Sequence, residues 1–165
     1  MLRMAQTCAP PGVQVHLYEG LGNLPLFNQD IESDEPRAVI QLQTAICQAD
    51  AVLFASPEYA HGISGVLKNA LDWMVSNGVL VGKPVALWNA SPRASHALAA
   101  LRETLKVMAV RLVETADLQM LMKAPESGLL FNNPDPAAML GSLQCFAAEL
   151  AIDAPLAGSP AVAAR

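Results

Sequence analysis

The sequence predicts an α/β protein built on a parallel sheet. Short apolar runs of strand length alternate with longer stretches whose apolar residues recur at helical spacing. Turn and cap residues fall at the junctions, as parallel strands joined by right-handed crossovers require. The length of 165 residues suits one domain. A chain of that size buries about 68–70% of its unfolded surface, enough for a full core.

The elements follow in order. Met1 to Ala9 reads as the last turns of a helix, stopped by Pro10-Pro11-Gly12. Val13 to Tyr18 alternates apolar and polar residues and predicts a strand. Leu24 to Asn28 is a loop with apolar anchors. Ser33 is the candidate N-cap of a helix, with Asp34 and Glu35 in its first turn and Pro36 tolerated there. Val39, Leu42, Ile46 and Ala49 give that helix its apolar stripe. Ala51 to Ala55 is the second strand. Leu67, Ala70, Leu71 and Met74 then form an i, i+3, i+4, i+7 face, and Asn77-Gly78 supplies C-cap chemistry. Val85 to Trp88 is the third strand, followed by the loop Asn89 to Arg93. Leu98, Leu101, Leu105 and Met108 mark the next helix. Arg111 to Glu114 predicts a short fourth strand. Asn132 to Pro136 is a turn, with Asp135 as N-cap and Pro136 at the first helical position. Met139, Leu143, Phe146 and Leu150 face the core. Residues 1–153 thus read as one domain, and the Ala-, Pro-, Gly- and Ser-rich residues 154–165 as a loose tail.

Composition excludes several classes. Apolar residues make up 53%, above the ordinary range, yet no apolar run reaches the roughly 18 residues that span a bilayer. The net charge of −5, with its ten basic residues scattered, argues against nucleic acid as a main partner. Cys8, Cys47 and Cys145 are odd in number and lack metal or redox spacing. Cys47 and Cys145 fall within apolar helical patterns. A reduced, cytoplasmic location is expected, with no signal peptide and no membrane partner.

One unbroken run carries the chemistry. Ser56-Pro57-Glu58-Tyr59-Ala60-His61 follows the Ala51–Ala55 strand, and Gly65-Val66-Leu67-Lys68-Asn69-Ala70-Leu71-Asp72-Trp73 follows as a helix. Small molecules sit at the carboxyl ends of parallel strands, where such loops lie. The run closely resembles the signature of the NADPH-dependent FMN reductase family, flavodoxin-like flavoproteins that include quinone and chromate reductases. Its usual form is a Pro-Glu-Tyr loop, then a Gly-x-Leu-Lys-Asn-Ala-Leu/Ile-Asp-Trp helix. The resemblance covers Met1 to about Leu150. It implies a flavodoxin-like three-layer sandwich with a parallel sheet, FMN as cofactor and NADPH or NADH as co-substrate. It also implies a homodimer or homotetramer formed through helices of this kind.

One part of the family pattern has no counterpart in the chain. Family members open on a strand and a Gly-Ser-x-Arg-x-x-Ser-x-Asn loop that holds the FMN phosphate at a helix N-terminus. No such sequence occurs here. The first strand is therefore expected to be missing and the sequence to be N-terminally shortened. That strand is the central one in the order 2-1-3-4-5. Without it, Val13–Tyr18 must pair with Ala51–Ala55, or both leave unpaired backbone groups, each costing about 1–3 kcal/mol if buried.

The resemblance assigns cofactor binding to Pro57, Glu58, Tyr59, Ala60, His61 and Ser91. The Pro57 turn would aim the N–H groups of Glu58, Tyr59 and Ala60 at the edge of the isoalloxazine ring, with Tyr59 beside it. Family members often carry Asn at the position of Ala60. The same residues also allow a plain surface turn with Tyr59 packed on its own loop. Ser91-Pro92-Arg93 takes the place of the family's second ring-contacting loop, where Gly-rich sequence is usual. Ser91 would donate to the flavin, or it begins a Ser-Pro turn with Ser95 capping the next helix. Lys68 and Asp72 form an i, i+4 ion pair. Asn69 and Trp73 serve packing or a subunit interface.

His61 is placed to act as a general acid toward a reduced quinone, although a loop histidine is more often simply solvated. No catalytic side chain is assigned, because the flavin carries the hydride chemistry. No metal site is expected, since His16, His61 and His96 lack partners at ligand spacing. Ser56 lacks the Gly-x-Ser-x-Gly elbow of a hydrolase. The leading expectation is an oxidoreductase that passes hydride from NAD(P)H through FMN to a quinone, flavin, azo dye or metal oxyanion. The alternatives are a flavin-free homologue acting as an inactive or partner-binding protein, and an electron-transfer flavodoxin without NAD(P)H activity.

Overall fold

The computed structural model describes residues 1–89, 91, 94–119 and 135–153. The main sheet is centred on β4 (Pro84–Asn89). It pairs in parallel with β1 (Val52–Ala55), in the register Val52 to Val85 through Ala55 to Trp88. On its other side β4 meets two short strands end to end. These are β5 (Arg111–Leu112), opposite Pro84 and Val85, and β6 (Leu118–Gln119), opposite Trp88 and Asn89. A single 3-10 turn, Glu114–Ala116, separates them. The last two strands, β2 (Glu58–Tyr59) and β3 (Gly62–Ile63), form a separate antiparallel hairpin at the carboxyl end of β1.

Side-chain alternation along β1 and β4 makes the layers. Val52, Phe54, Val85 and Leu87 pack with α2 (Arg37–Gln48), α3 (Gly65–Met74) and α4 (Ser95–Val107). Leu53, Ala55, Ala86 and Trp88 face the other way, toward α1 (Leu2–Cys8) and α5 (Pro136–Asp153). The result is a three-layer α/β sandwich, as the sequence predicts. β4 is buried from Val85 to Asn89, and this fits a strand paired on both edges and covered on both faces.

Several sequence expectations are corrected. Val13–Tyr18 forms no strand. Its apolar alternation is nonetheless expressed. Val13, Val15 and Leu17 are half-buried while Gln14 and His16 are exposed. The pattern records packing of one side beneath α1, not ladder pairing: the Val15 carbonyl accepts from Gln6 Nε2 at 3.2 Å. Consequently β1 pairs only with β4 among the described residues. Ser33 does not cap α2, which begins at Arg37 after Pro36 and has no side-chain cap. Pro36 disfavours the α region for Glu35 before it, so the helix does not reach back to Ser33. α3 ends at Met74, three residues before Asn77; Gly78 then takes φ +66°, and Asn77 bonds back to the Trp73 carbonyl. The strand predicted over Arg111–Glu114 keeps only two residues, because Glu114 enters the 3-10 turn. Cys47 and Cys145 lie on exposed helix faces. Asp135 does cap α5, accepting from Ala137 N at 3.0 Å. Asn132 to Pro134 and the predicted tail lie outside the described residues.

Candidate functional site

The carboxyl ends of β1 and β4 are neighbours because the strands are parallel and in register. Each feeds a loop on the same edge of the sheet. Ser56 and Pro57 leave β1 and enter the β2–β3 hairpin. Its two central residues are Ala60 (φ +47°) and His61 (φ +61°). Positive φ at both positions is the requirement of a type I′ turn, which usually carries Asn-Gly. Here it is met by two residues with Cβ atoms, so the turn holds backbone strain beside the strand ends. Pro57, Tyr59, Ala60 and His61 are exposed, and Glu58 is half-buried. Tyr59 is 66% exposed.

The second loop leaves β4 at Asn89. That side chain is buried, with 3% exposure, and closes the loop from within. Its Oδ1 accepts from Ser91 N at 3.0 Å and its Nδ2 donates to the Ala94 carbonyl at 3.2 Å. Ser91 is thereby held next to the end of β4, half-buried. Pro92 and Arg93 lie outside the described residues. Ser95 does not cap α4; it is the first helical residue, and Ala94 in the N-cap position has no capping bond. The acceptor comes from the other loop: Glu58 Oε2 takes the Ala97 N–H at 2.8 Å. His61 and His96 stack beside it, with ring centroids 4.3 Å apart and an interplanar angle of 16°.

A cleft of about 320 Å³ opens at this edge, walled by Met1, Leu2, Arg3, Ala55, Ser56, Pro57 and Trp88. Its size lies at the lower end of the ~300–1,000 Å³ typical of small-molecule sites. Arg3 on its wall pairs with Glu19 at 3.2 Å.

Of the residues singled out from sequence, Pro57, Glu58, Tyr59, Ala60 and His61 lie on one hairpin, and Ser91 on the adjoining loop. Asn69 and Trp73 point away from this edge and fasten the 24–28 loop. Asn69 Nδ2 and Trp73 Nε1 both donate to the Pro25 carbonyl at 2.9 Å, Asn69 Oδ1 accepts from Phe27 N at 2.8 Å, and the Phe27 ring meets Trp73 edge-on at 5.1 Å. Lys68 and Asp72 form the predicted ion pair. Among the described residues no group of three or more His, Cys, Asp or Glu side chains is placed to hold a metal ion.

Two residues escaped the sequence reading. Asn89 ends an apolar strand just before a Ser-Pro pair, an Asx-turn signal that was available. Asp117 had no such signal. Its Oδ1 accepts from Leu87 N at 2.7 Å, filling the gap in the β4 ladder between β5 and β6, and its other oxygen meets Arg102. Burial raises the Asp117 pKa above the usual carboxylate value, outweighing the Leu87 N–H and the Arg102 charge, which lower it.

Known proteins resemble this chain in sequence and fold. Residues 1–124 match the family model of NADPH-dependent FMN reductase. The NAD(P)H-dependent FMN reductase PA1204 of Pseudomonas aeruginosa is 40% identical over 93 residues, covering 54% of this chain and 50% of that protein. The quinone reductase of Escherichia coli K12 is 36% identical over 87 residues, covering 50% of this chain and 46% of that protein. The chain spans about half the length of these curated relatives. The solved structure of FerB, a flavoenzyme NAD(P)H:(acceptor) oxidoreductase from Paracoccus denitrificans, superposes with a TM-score of 0.68 at 27% identity, covering 92% of this chain and 87% of that one. With a parallel three-layer sandwich, two loops meeting at its carboxyl edge and a family match across most of its length, this chain belongs to the NADPH-dependent FMN reductase family.

Proposed function

We propose that the chain is an NAD(P)H-dependent FMN oxidoreductase whose electrons pass to a small-molecule acceptor of the quinone class. The observation that carries this reading is the convergence of the Ser56–His61 loop and of Asn89 and Ser91 on adjacent strand ends, beside an open cleft walled by Ser56, Pro57 and Trp88. The residues fit the ring half of FMN. A flat heteroaromatic ring needs backbone donors at its polar edge, apolar walls and one open face. The hairpin would offer the amides of Glu58 and Ala60, whereas Tyr59 closes the turn opposite Gly62. Ala55, Pro57 and Trp88 offer apolar wall, and Tyr59 offers an exposed ring. The phosphate half has weaker support. Arg3 on the cleft wall is engaged with Glu19, and the described residues include no hydroxyl-rich anion loop.

Bound FMN would supply the acceptance and release of hydride. The residues' part is to orient and exclude. Asn89 holds the Ser91 loop closed, the hairpin presents its amides, and Trp88 forms the floor at the strand end. His61 is exposed on the turn and stacked on His96. Relatives named quinone reductase and 2-hydroxy-1,4-benzoquinone reductase support the acceptor class. A homodimer or homotetramer belongs to the same reading, supported by exposed Val66 on α3 and exposed Leu26 on the loop clipped to it. A reduced, cytoplasmic setting does too, supported by three free thiols. No helix among the described residues is long and apolar enough to cross a membrane.

A flavin-free, partner-binding role is the second reading. It is favoured by the pairing of the cleft-wall Arg3 with Glu19. The visible absorption spectrum of the purified chain with FMN, followed by NADPH oxidation in the presence of a quinone, separates the two. A retained flavin spectrum and quinone-dependent turnover are expected. A colourless protein at saturating FMN would favour the second reading.

A further inference from the structure

The Glu58 carboxylate does not point toward the cleft wall. It crosses from the β2–β3 hairpin to the first turn of α4 and takes the Ala97 N–H at 2.8 Å. A helix start leaves up to four N–H groups without partners, and a negative group there also meets the positive end of the helix dipole. α4 has no capping side chain of its own: its N-cap residue is Ala94, buried and without a polar group. The cap is thus supplied by a residue 39 positions earlier, on the other loop. The stacked His61 and His96 rings make a second contact between the same two elements. From Ala94 the chain of contacts continues inward. Asn89 holds the Ala94 carbonyl with one amide atom and Ser91 N with the other. Hairpin, helix start and second loop are therefore joined through Glu58, Ala97, Ala94, Asn89 and Ser91.

We infer that Glu58 is a positioning residue. By capping α4 from the hairpin it fixes the separation of the hairpin from Ser91, and so presets the geometry of the two loops before a ligand enters. The consequence for flavin rests on the function proposed above; the coupling of the loops does not. Binding to a preset site avoids the cost of ordering loops on association. Gln at position 58 keeps an acceptor oxygen for Ala97 N, whereas Ala removes it.

The test uses the full chain and its E58A and E58Q variants, with amide hydrogen exchange followed residue by residue by NMR in the absence of flavin. E58A is expected to speed exchange roughly tenfold at Ala97, as loss of about one net hydrogen bond implies, and also at Tyr59 to Gly62 and at Ser91. Val85 to Leu87 in β4 should stay unchanged, and E58Q should follow the wild type. FMN affinity, read from quenching of flavin fluorescence, should fall at least severalfold in E58A and recover in E58Q. Unchanged exchange at Ala97 in E58A overturns the cap. Faster exchange confined to Ala97, with Ser91 and the hairpin unmoved, overturns the positioning role. If no version binds FMN, the flavin reading fails, while the exchange data still decide whether Glu58 couples the loops.

Discussion

Two residues show how single positions shape this part of the molecule. Ala60 adopts φ +47° in the hairpin turn, a conformation that costs a residue with a Cβ about 1–2 kcal/mol. Ala60→Gly should therefore raise stability by roughly 1 kcal/mol, less the entropy glycine adds to the unfolded chain, and a thermal melt would read it. A lower melting temperature would mean that the turn is not strained. Asp117 works differently. Asp117→Ala leaves Leu87 N without its acceptor and is expected to cost about 1–3 kcal/mol in denaturant unfolding. Asp117→Asn keeps an acceptor and should cost less. The pH dependence follows from the raised Asp117 pKa. The folded state holds the proton more tightly than the unfolded state. The group's contribution is thus fully present below the ordinary carboxylate pKa and is lost as pH rises through the raised folded value. Wild type compared with Asp117→Asn should lose relative stability across that window as pH increases. A gain would show that Arg102, not burial, dominates.

At the scale of elements, α3 acts as a clamp. One face, Leu67, Ala70, Leu71 and Met74, is core, and this much the helical spacing predicts. Asn69 and Trp73 do more: they hold the 24–28 loop by its backbone. Asn69→Ala should cost about 1–2 kcal/mol and speed amide exchange at Phe27 without touching the β1 and β4 loops. The neighbouring Lys68–Asp72 pair is half-exposed, and its removal should change stability by no more than about 0.5 kcal/mol. α5 is tied to the sheet by a polar relay through Ser142 inside an apolar interface, besides the Arg111–Glu149 ion pair. Trp88 Nε1 donates to Ser142 Oγ at 2.8 Å, and Ser142 Oγ in turn donates to the Ala116 carbonyl. That bond explains a polar residue on the buried, apolar face of α5.

For the whole molecule, stability should follow the sheet's asymmetry. β4 is paired on both edges and buried, whereas β1 is paired on one edge and only half-buried. Native-state hydrogen exchange should be slowest at Val85 to Leu87 and faster along β1, since local opening tracks unsatisfied edges and shallow burial. Equal protection of the two strands would show that the free edge of β1 is covered in solution.

The sequence by itself determined the alternation of elements, the apolar faces of α2 to α5 and the run that marks the family. These rest on local periodicity and on a contiguous motif, both written in neighbouring residues. It also placed the candidate loops, because a loop after a buried strand must lie at the strand's carboxyl end. Only the tertiary structure decided the rest. Val13–Tyr18 has a strand's alternation and packs on one side, but a strand exists only when another backbone accepts its ladder bonds. The type I′ turn at Ala60-His61 was hidden because neither residue favours positive φ; pairing of Glu58-Tyr59 with Gly62-Ile63 imposes it. Glu58 as the cap of α4, Asn89 as the strap of its loop and Asp117 as the filler of the β4 ladder are bonds between residues that the sheet brings together. Local propensity carries no record of such partners, since their energy depends on distances that exist only once the sheet has formed.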